Sequence, residues 1–280
     1  MLRLTGNILC PEGARGYTTL DNRNNTGFLS VHVRTKRQPL TMPSQLQSTS
    51  NGSTLVLTLL HTDPQWGLDP SICAAGIEAL NVAERSQDLR CVVIAGAAGA
   101  WGKPAHSAPT HADIEHHAQR LEGLHNWIET IRSYSKPVVA AVEGTVAGDG
   151  LALALACDLL VAARDAMLAP TTVPPGHTLR GGIGWFIAQA LPRHQAAQWL
   201  FSAEPMRTER LHQWGLVNRI AEPGEALSSA LALGEQLGSR PLAALASTKE
   251  LLQEASSATL AQQLAQEKQR WLRSLVHPSK

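Results

Sequence analysis

The chain has 280 residues and a net charge of +1, with 44% hydrophobic and 17% charged residues. That balance gives no footing for nucleic acid or an anionic membrane surface, and no apolar run approaches the length of a membrane span. The length suits one large domain or a domain with an appendage.

The first forty-odd residues carry Arg3, Arg15, Arg23, Arg34, Lys36 and Arg37 among Asn, Gly and Thr, with few acids and poor periodicity. A poorly structured extension over 1–50 is expected, or an upstream start with Met42 opening the folded domain; a mitochondrial transit peptide also fits the composition. Residues 54–60 read as the first strand and 70–85 as a helix, with Ile72, Ile77, Leu80 and Val82 along its apolar side. A second, buried strand follows at 91–95, then a loop rich in Gly, Ala and Pro over 97–110. The spacing of Leu121, Leu124, Trp127, Ile128 and Ile131 predicts a long helix over 113–134. Val138 to Val142 form a third strand, apolar on both faces. Gly144, Gly148 and Gly150 then permit a sharp turn and close backbone approach, and an apolar helix opens at Leu151. Residues 159–162 lead toward another strand. From about Ser202 the pattern reads as helical throughout, with helices at 208–213, 226–237, 242–254 and an amphipathic one at 260–275 carrying Leu264, Trp271 and Leu275. Strands alternating with helices predict an α/β chain of parallel β-α units. Cys10, Cys73, Cys91 and Cys157 are scattered without Cys-x-x-Cys spacing; Cys91 and Cys157, in apolar runs, read as buried thiols, and a reducing, cytoplasmic setting is expected.

A strand, a glycine turn and a helix start together make a place for an anion or a developing oxyanion. The stretch from Lys136 to Asp158, K-P-V-V-A-A-V-E-G-T-V-A-G-D-G-L-A-L-A-L-A-C-D, resembles the crotonase superfamily, the enoyl-CoA hydratase/isomerase fold. Arg164-Asp165-Ala166, the G-L-V-N-R of 215–219, the S-T-L-V-L-T of 53–58 and the C-V-V-I-A-G of 91–96 extend the resemblance from about residue 51 to the C-terminus. Segments 74–80 and 185–193 are most similar to its oxepin-CoA hydrolase-like branch. The resemblance implies a crotonase-like ββα superhelix with two roughly perpendicular sheets over 51–201. It also implies a helical region over 202–280 that covers the active site and builds a homotrimer or dimer of trimers. The implied ligand is an acyl-CoA thioester, CoA being part of the substrate and no separate cofactor being needed.

The family stabilises an enolate-like oxyanion with two backbone N–H groups. The loop after the second strand here reads A-W-G-K-P-A-H over 100–106. Trp101 falls on the family's aromatic residue, Lys103 on the oxyanion donor and Pro104 on the next glycine, where proline restricts the residue before it. A slipped loop would place Ala105 there instead. The second donor belongs to the turn at Gly148 and Asp149, where Asp149 replaces the usual middle glycine. Its carboxylate either opposes the developing charge or, as expected here, caps the following helix and points away.

Hydratases of the family use two glutamates, one as base and one to supply or orient the proton. Their positions here hold Ala152 and Thr172, and a later acid position of isomerase-like members holds Arg180. None of the three exchanges protons readily at neutral pH, so ordinary water addition is expected to be very slow. Asp149 and His106 remain as candidate bases, with His177 beside the vacant second position. His106, His111, His116 and His117 lack zinc-ligand spacing. Trp66 is the candidate to stack on adenine, or it fills space. Lys249 either reaches a phosphate or, as expected, is a solvated surface lysine. Asp158 reads as structural. The reading of a different class is a catalytically silent, oligomeric acyl-CoA-binding or scaffold protein.

Overall fold

Short runs of valine, isoleucine, leucine and alanine build the main sheet. The computed structural model describes residues 45–61, 68–96, 101, 114–170 and 178–276. β1 (Gln45–Asn51) pairs antiparallel with β2 (Thr54–His61) through a two-residue turn, with Gly52 at φ +56. The two loop residues are Gly52 and Ser53, a Gly-Ser pair that suits a two-residue hairpin. Helix α1 (Pro70–Arg85) starts on Asp69, whose carboxylate accepts from the Ser71 N–H at 2.8 Å. It leads to β3 (Cys91–Gly96), parallel to β2. Helix α2 (Ile114–Ser133) leads to β4 (Val138–Val142), parallel to β3.

After β4 come β5 (Thr145–Ala147), α3 (Asp149–Ala156), β6 (Leu159–Ala163) and β7 (Met167–Ala169). Then follow α4 (Ile183–Ala190), α5 (Arg193–Ser202), β8 (Met206–Arg207), α6 (Thr208–Gln213) and β9 (Arg219–Ala221). The chain closes with α7 (Ala226–Gly238), α8 (Leu242–Glu254) and α9 (Leu260–Val276). Among the described residues one sheet has the order β1-β2-β3-β4-β6-β9, parallel except for β1, and a second has β5-β7-β8.

Alternate residues along β3, β4 and β6 enter two separate cores, as a period of two requires. Val92, Ile94, Val138, Ala140 and Ala162 face α1 and α2, with Leu80, Leu124 and Trp127. Val93, Ala95, Val139, Ala141 and Val161 face α7, against Ala226, Ala230 and Leu233. No described helix is long and apolar enough to cross a membrane.

Three expectations change. The structured chain does not wait for residue 51, because Gln45–Asn51 is a strand; its QLQSTSN sequence has no apolar period, and the pairing with β2 makes it. The region after Ser202 is not helical throughout: β8 joins β7, and β9 joins β6 at the edge of the main sheet. The core therefore does not end at 201, since β9 and α7 complete it. Strand β5, inside the glycine turn, was also unforeseen. Three residues carry no readable period, and only pairing with β7 defines them.

Candidate functional site

Gly148 has φ +53 and ψ −118, a conformation closed to residues with a side chain, and it turns the chain from β5 into α3. One residue into the helix, a Cβ on Gly150 would lie 1.8 Å from the carbonyl oxygen of Trp101. That carbonyl also accepts from the Ala147 N–H at 3.3 Å. The Trp101 ring is fully buried, and its Nε1 donates to the Ala141 carbonyl at 3.2 Å. The loop after β3 is thus stitched to the glycine turn at Trp101, two residues before Lys103. The first N–H groups of α3 have no carbonyl within the helix to bond and stand at the positive end of its dipole.

The N-cap of α3 is Gly148, which has no side chain, so Asp149 stands at the first helical position and not at the cap. Its carboxylate takes the Arg180 Nε–H at 2.5 Å instead, the two side chains being 8% and 26% exposed. A guanidinium offers a directed, charge-assisted bond that outcompetes a neutral amide. The Asp149 carboxylate also lies near Cys73: burial first, and then this negative charge, push the thiol up to about 12, which leaves it unreactive.

Ala152 is fully buried on the next turn of α3. A Cβ on Gly181 would stand 2.6 Å from the Ala152 Cβ, 3.2 Å from Leu124 and 3.7 Å from Ile128. The loop at 178–182, turned by Gly181 and Gly182 at φ +62 and +73, therefore lies directly on α3. It is held by an apolar contact at Ala152 and an ionic one at Asp149. Ala152 is thus not a small residue in an open gap; the Gly181 backbone packs on it, with Leu124 and Ile128 beside the same point.

Close by, the buried Arg120 donates to the Leu68 carbonyl at 2.9 Å and stands 3.6 Å from the Asp69 carboxylate. Burial pushes the Asp69 carboxyl up, but the Ser71 hydrogen bonds and Arg120 outweigh it and hold the group below its ordinary value. His116 and His117 lie in the first turn of α2. Trp66, Lys103, Pro104, His106, Thr172 and His177 lie outside the described residues.

Lys249 is not a solvated surface lysine. Its Nζ donates to the Asp158 carboxylate at 2.8 Å and to the Ile131 carbonyl at 3.0 Å, and its side chain is only 12% exposed. Asp158 also accepts from the Val138 N–H, so it ties β4 to α8. Other motif residues are structural too. Lys136 donates to the Ala83 and Ser86 carbonyls at 2.7 Å each, closing the end of α1, where a cation is favoured. The Asn218 side chain accepts from the Leu160 N–H, and Glu143 accepts from the Gly224 and Ala226 N–H groups at the start of α7. Sequence reasoning singled out Asp149, Ala152 and Arg180 separately and missed their contact. The available signal was opposite charge at two positions that both depart from the family pattern.

The description Enoyl-CoA hydratase/isomerase matches residues 49–278. A solved enoyl-CoA hydratase from Polaromonas sp. JS666 is similar at 47% identity, covering 83% of this chain and 92% of that one, with a TM-score of 0.76. Carnitinyl-CoA dehydratase from Salmonella enteritidis is 28% identical over 215 residues, 75% of this chain and 80% of the relative. The 4-chlorobenzoyl coenzyme A dehalogenase-1 of an Arthrobacter species is 27% identical over 208 residues, 72% and 75% respectively. A match running from β1 to the end of α9, with the same fold in a relative of near half identity, shows that the chain belongs to the enoyl-CoA hydratase/isomerase family.

Proposed function

We propose that the chain binds an acyl-CoA thioester with the thioester oxygen at the start of α3, near the N–H groups of Gly148 and Asp149. Lys103, on the segment that follows Trp101, would supply the second donor, and Trp66 would meet the CoA. CoA enters as part of the substrate and no separate cofactor takes part. The relatives' names support the ligand class: a hydratase, a dehydratase and a dehalogenase share CoA and differ in reaction. The observation that carries the reading is the pairing of the turn at Gly148 and Gly150 with a filled position at Ala152, packed under Gly181. The chain keeps a place for a thioester oxygen and lacks the two-carboxylate device for adding water, because Thr172 stands at the other aligned position. The Arg180 contact takes Asp149 out of the role of base and leaves His106 as the group to test.

A second reading is an oligomeric acyl-CoA-binding protein without turnover; the exposed apolar residues of α9, including Leu264, Trp271 and Leu275, would serve its assembly. We place assembly as a homotrimer or dimer of trimers, a cytoplasmic setting and the oxepin-CoA hydrolase-like branch within the same proposal. Calorimetric titration with butyryl-CoA and a crotonyl-CoA hydration assay test it. Binding is expected, with hydration at least about a hundredfold below a two-glutamate relative, since each acid–base group contributes about a hundred- to ten-thousand-fold. Turnover equal to that relative, or no binding, overturns it.

A further inference from the structure

We infer that Arg180 is a positioning residue for the thioester-oxygen site and acts through Asp149; the inference rests on the acyl-CoA reading above. A carboxylate on the first residue of a helix is drawn to the positive end of that helix. Left to itself, the Asp149 side chain would settle toward the first-turn N–H groups, where it would compete with an incoming oxyanion and repel it. The structure shows a different arrangement. The N-cap of α3 is Gly148, which offers no side chain, and the Asp149 carboxylate is engaged by Arg180 Nε, in a setting where only 8% of the Asp149 side chain is exposed. Arg180 is itself fixed by the backbone beside it, since Gly181 rests on Ala152. The guanidinium thus reaches Asp149 from a loop docked on the same helix turn.

The departures at 149, 152 and 180 are one compensated set. Aspartate in place of glycine brings a charge beside the oxygen site. Arginine in place of an acid neutralises that charge and draws it aside. The small Ala152 lets the arginine's loop lie close enough to do so. The neutralised pair leaves the helix dipole and the backbone N–H groups as the field at the oxygen site.

The test uses the full chain and butyryl-CoA carrying 13C at the thioester carbonyl, with affinity from calorimetry and the bound carbonyl stretch from infrared difference spectra. In the wild type the stretch moves to lower frequency on binding. Arg180→Met leaves the carboxylate unpaired; it is expected to weaken binding about tenfold or more and to reverse most of the carbonyl shift. Asp149→Asn with Arg180→Met removes both charges and is expected to return affinity to within about threefold of wild type, with the shift restored. Arg180→Lys, which keeps the charge but not the directed fork, is expected to recover part of the shift.

A pair that only holds the loop in place would lower the unfolding temperature in every variant while the bound carbonyl frequency stayed at its wild-type value. That result overturns the inference and leaves the acyl-CoA reading standing, as does a double variant no better than Arg180→Met. If Arg180→Met does not fold, Arg180→Lys carries the comparison, and a carbonyl frequency unchanged from wild type in it has the same meaning. A wild-type chain that binds no butyryl-CoA overturns the acyl-CoA reading and the inference with it.

Discussion

Ala152 shows how little a single substitution can restore. A glutamate there would meet Gly181, Leu124 and Ile128, with no solvent to hold its charge. Overpacking and an unpaired buried charge together predict that Ala152→Glu destabilises the chain by about 3 kcal/mol or more and adds no hydratase activity. Thermal unfolding and the crotonyl-CoA assay check both parts, and a stable, active variant would contradict the packing described for this site. The opposite tightness lies at Gly150, where any Cβ collides with the Trp101 backbone. Gly150→Ala is therefore expected to abolish soluble expression or to detach the loop after β3, which limited proteolysis near residue 101 would reveal. The sequence made positions 149, 152 and 180 legible as departures from a pattern. It did not show their contact, because Asp149 and Arg180 stand far apart along the chain and meet only through the turn at Gly181 and Gly182.

Helix α8, like α9, has no buried residue. It is held largely by polar bonds, chiefly Lys249 to Asp158 and Ile131, and Gln253 to the Arg132 carbonyl. Burial raises the Asp158 carboxyl above its ordinary value even with Lys249 beside it. An acid whose folded value is raised binds protons more readily in the folded state, so its contribution worsens as pH rises through the window between the unfolded and folded values. Removing the lysine should widen that window. Lys249→Met is expected to cost about 3 kcal/mol at neutral pH, with the deficit shrinking on acidification as Asp158 takes up a proton. Urea unfolding at a series of pH values measures this, and a deficit that grows toward acid would contradict it. Legibility at this scale follows length and period. The helices at 70–85 and 242–254 and the strand at 138–142 stand where their apolar spacing put them. Strands β5, β8 and β9, of two or three residues, have too few positions to show a period, and partners remote in sequence define them.

At the scale of the whole molecule, α9 leaves apolar side chains exposed among the described residues, with Leu260 at 74%, Trp271 at 63% and Val276 at 72% exposure. Arg270 bonds to Glu250 and Glu254 and so fixes α9 to α8, and Trp271 lines a groove with Ala243, Ser247 and Leu251 of α8. Trp271→Glu is expected to shift the species seen by light scattering from an assembly to a monomer, while circular dichroism stays unchanged. A wild-type chain that is monomeric at micromolar concentration would remove the basis for that assembly. The edge strand β9 has a different consequence, for biosynthesis. The sheet's second core needs Ala226, Ala230 and Leu233, all delivered after residue 219. A ribosome that has released only the first two hundred residues therefore presents Val93, Val139 and Val161 bare, and chaperone capture should persist until α7 emerges. Stalled nascent chains ending at residue 202 are expected to remain protease-sensitive and bound to chaperone, whereas those that expose residues through 238 should become resistant.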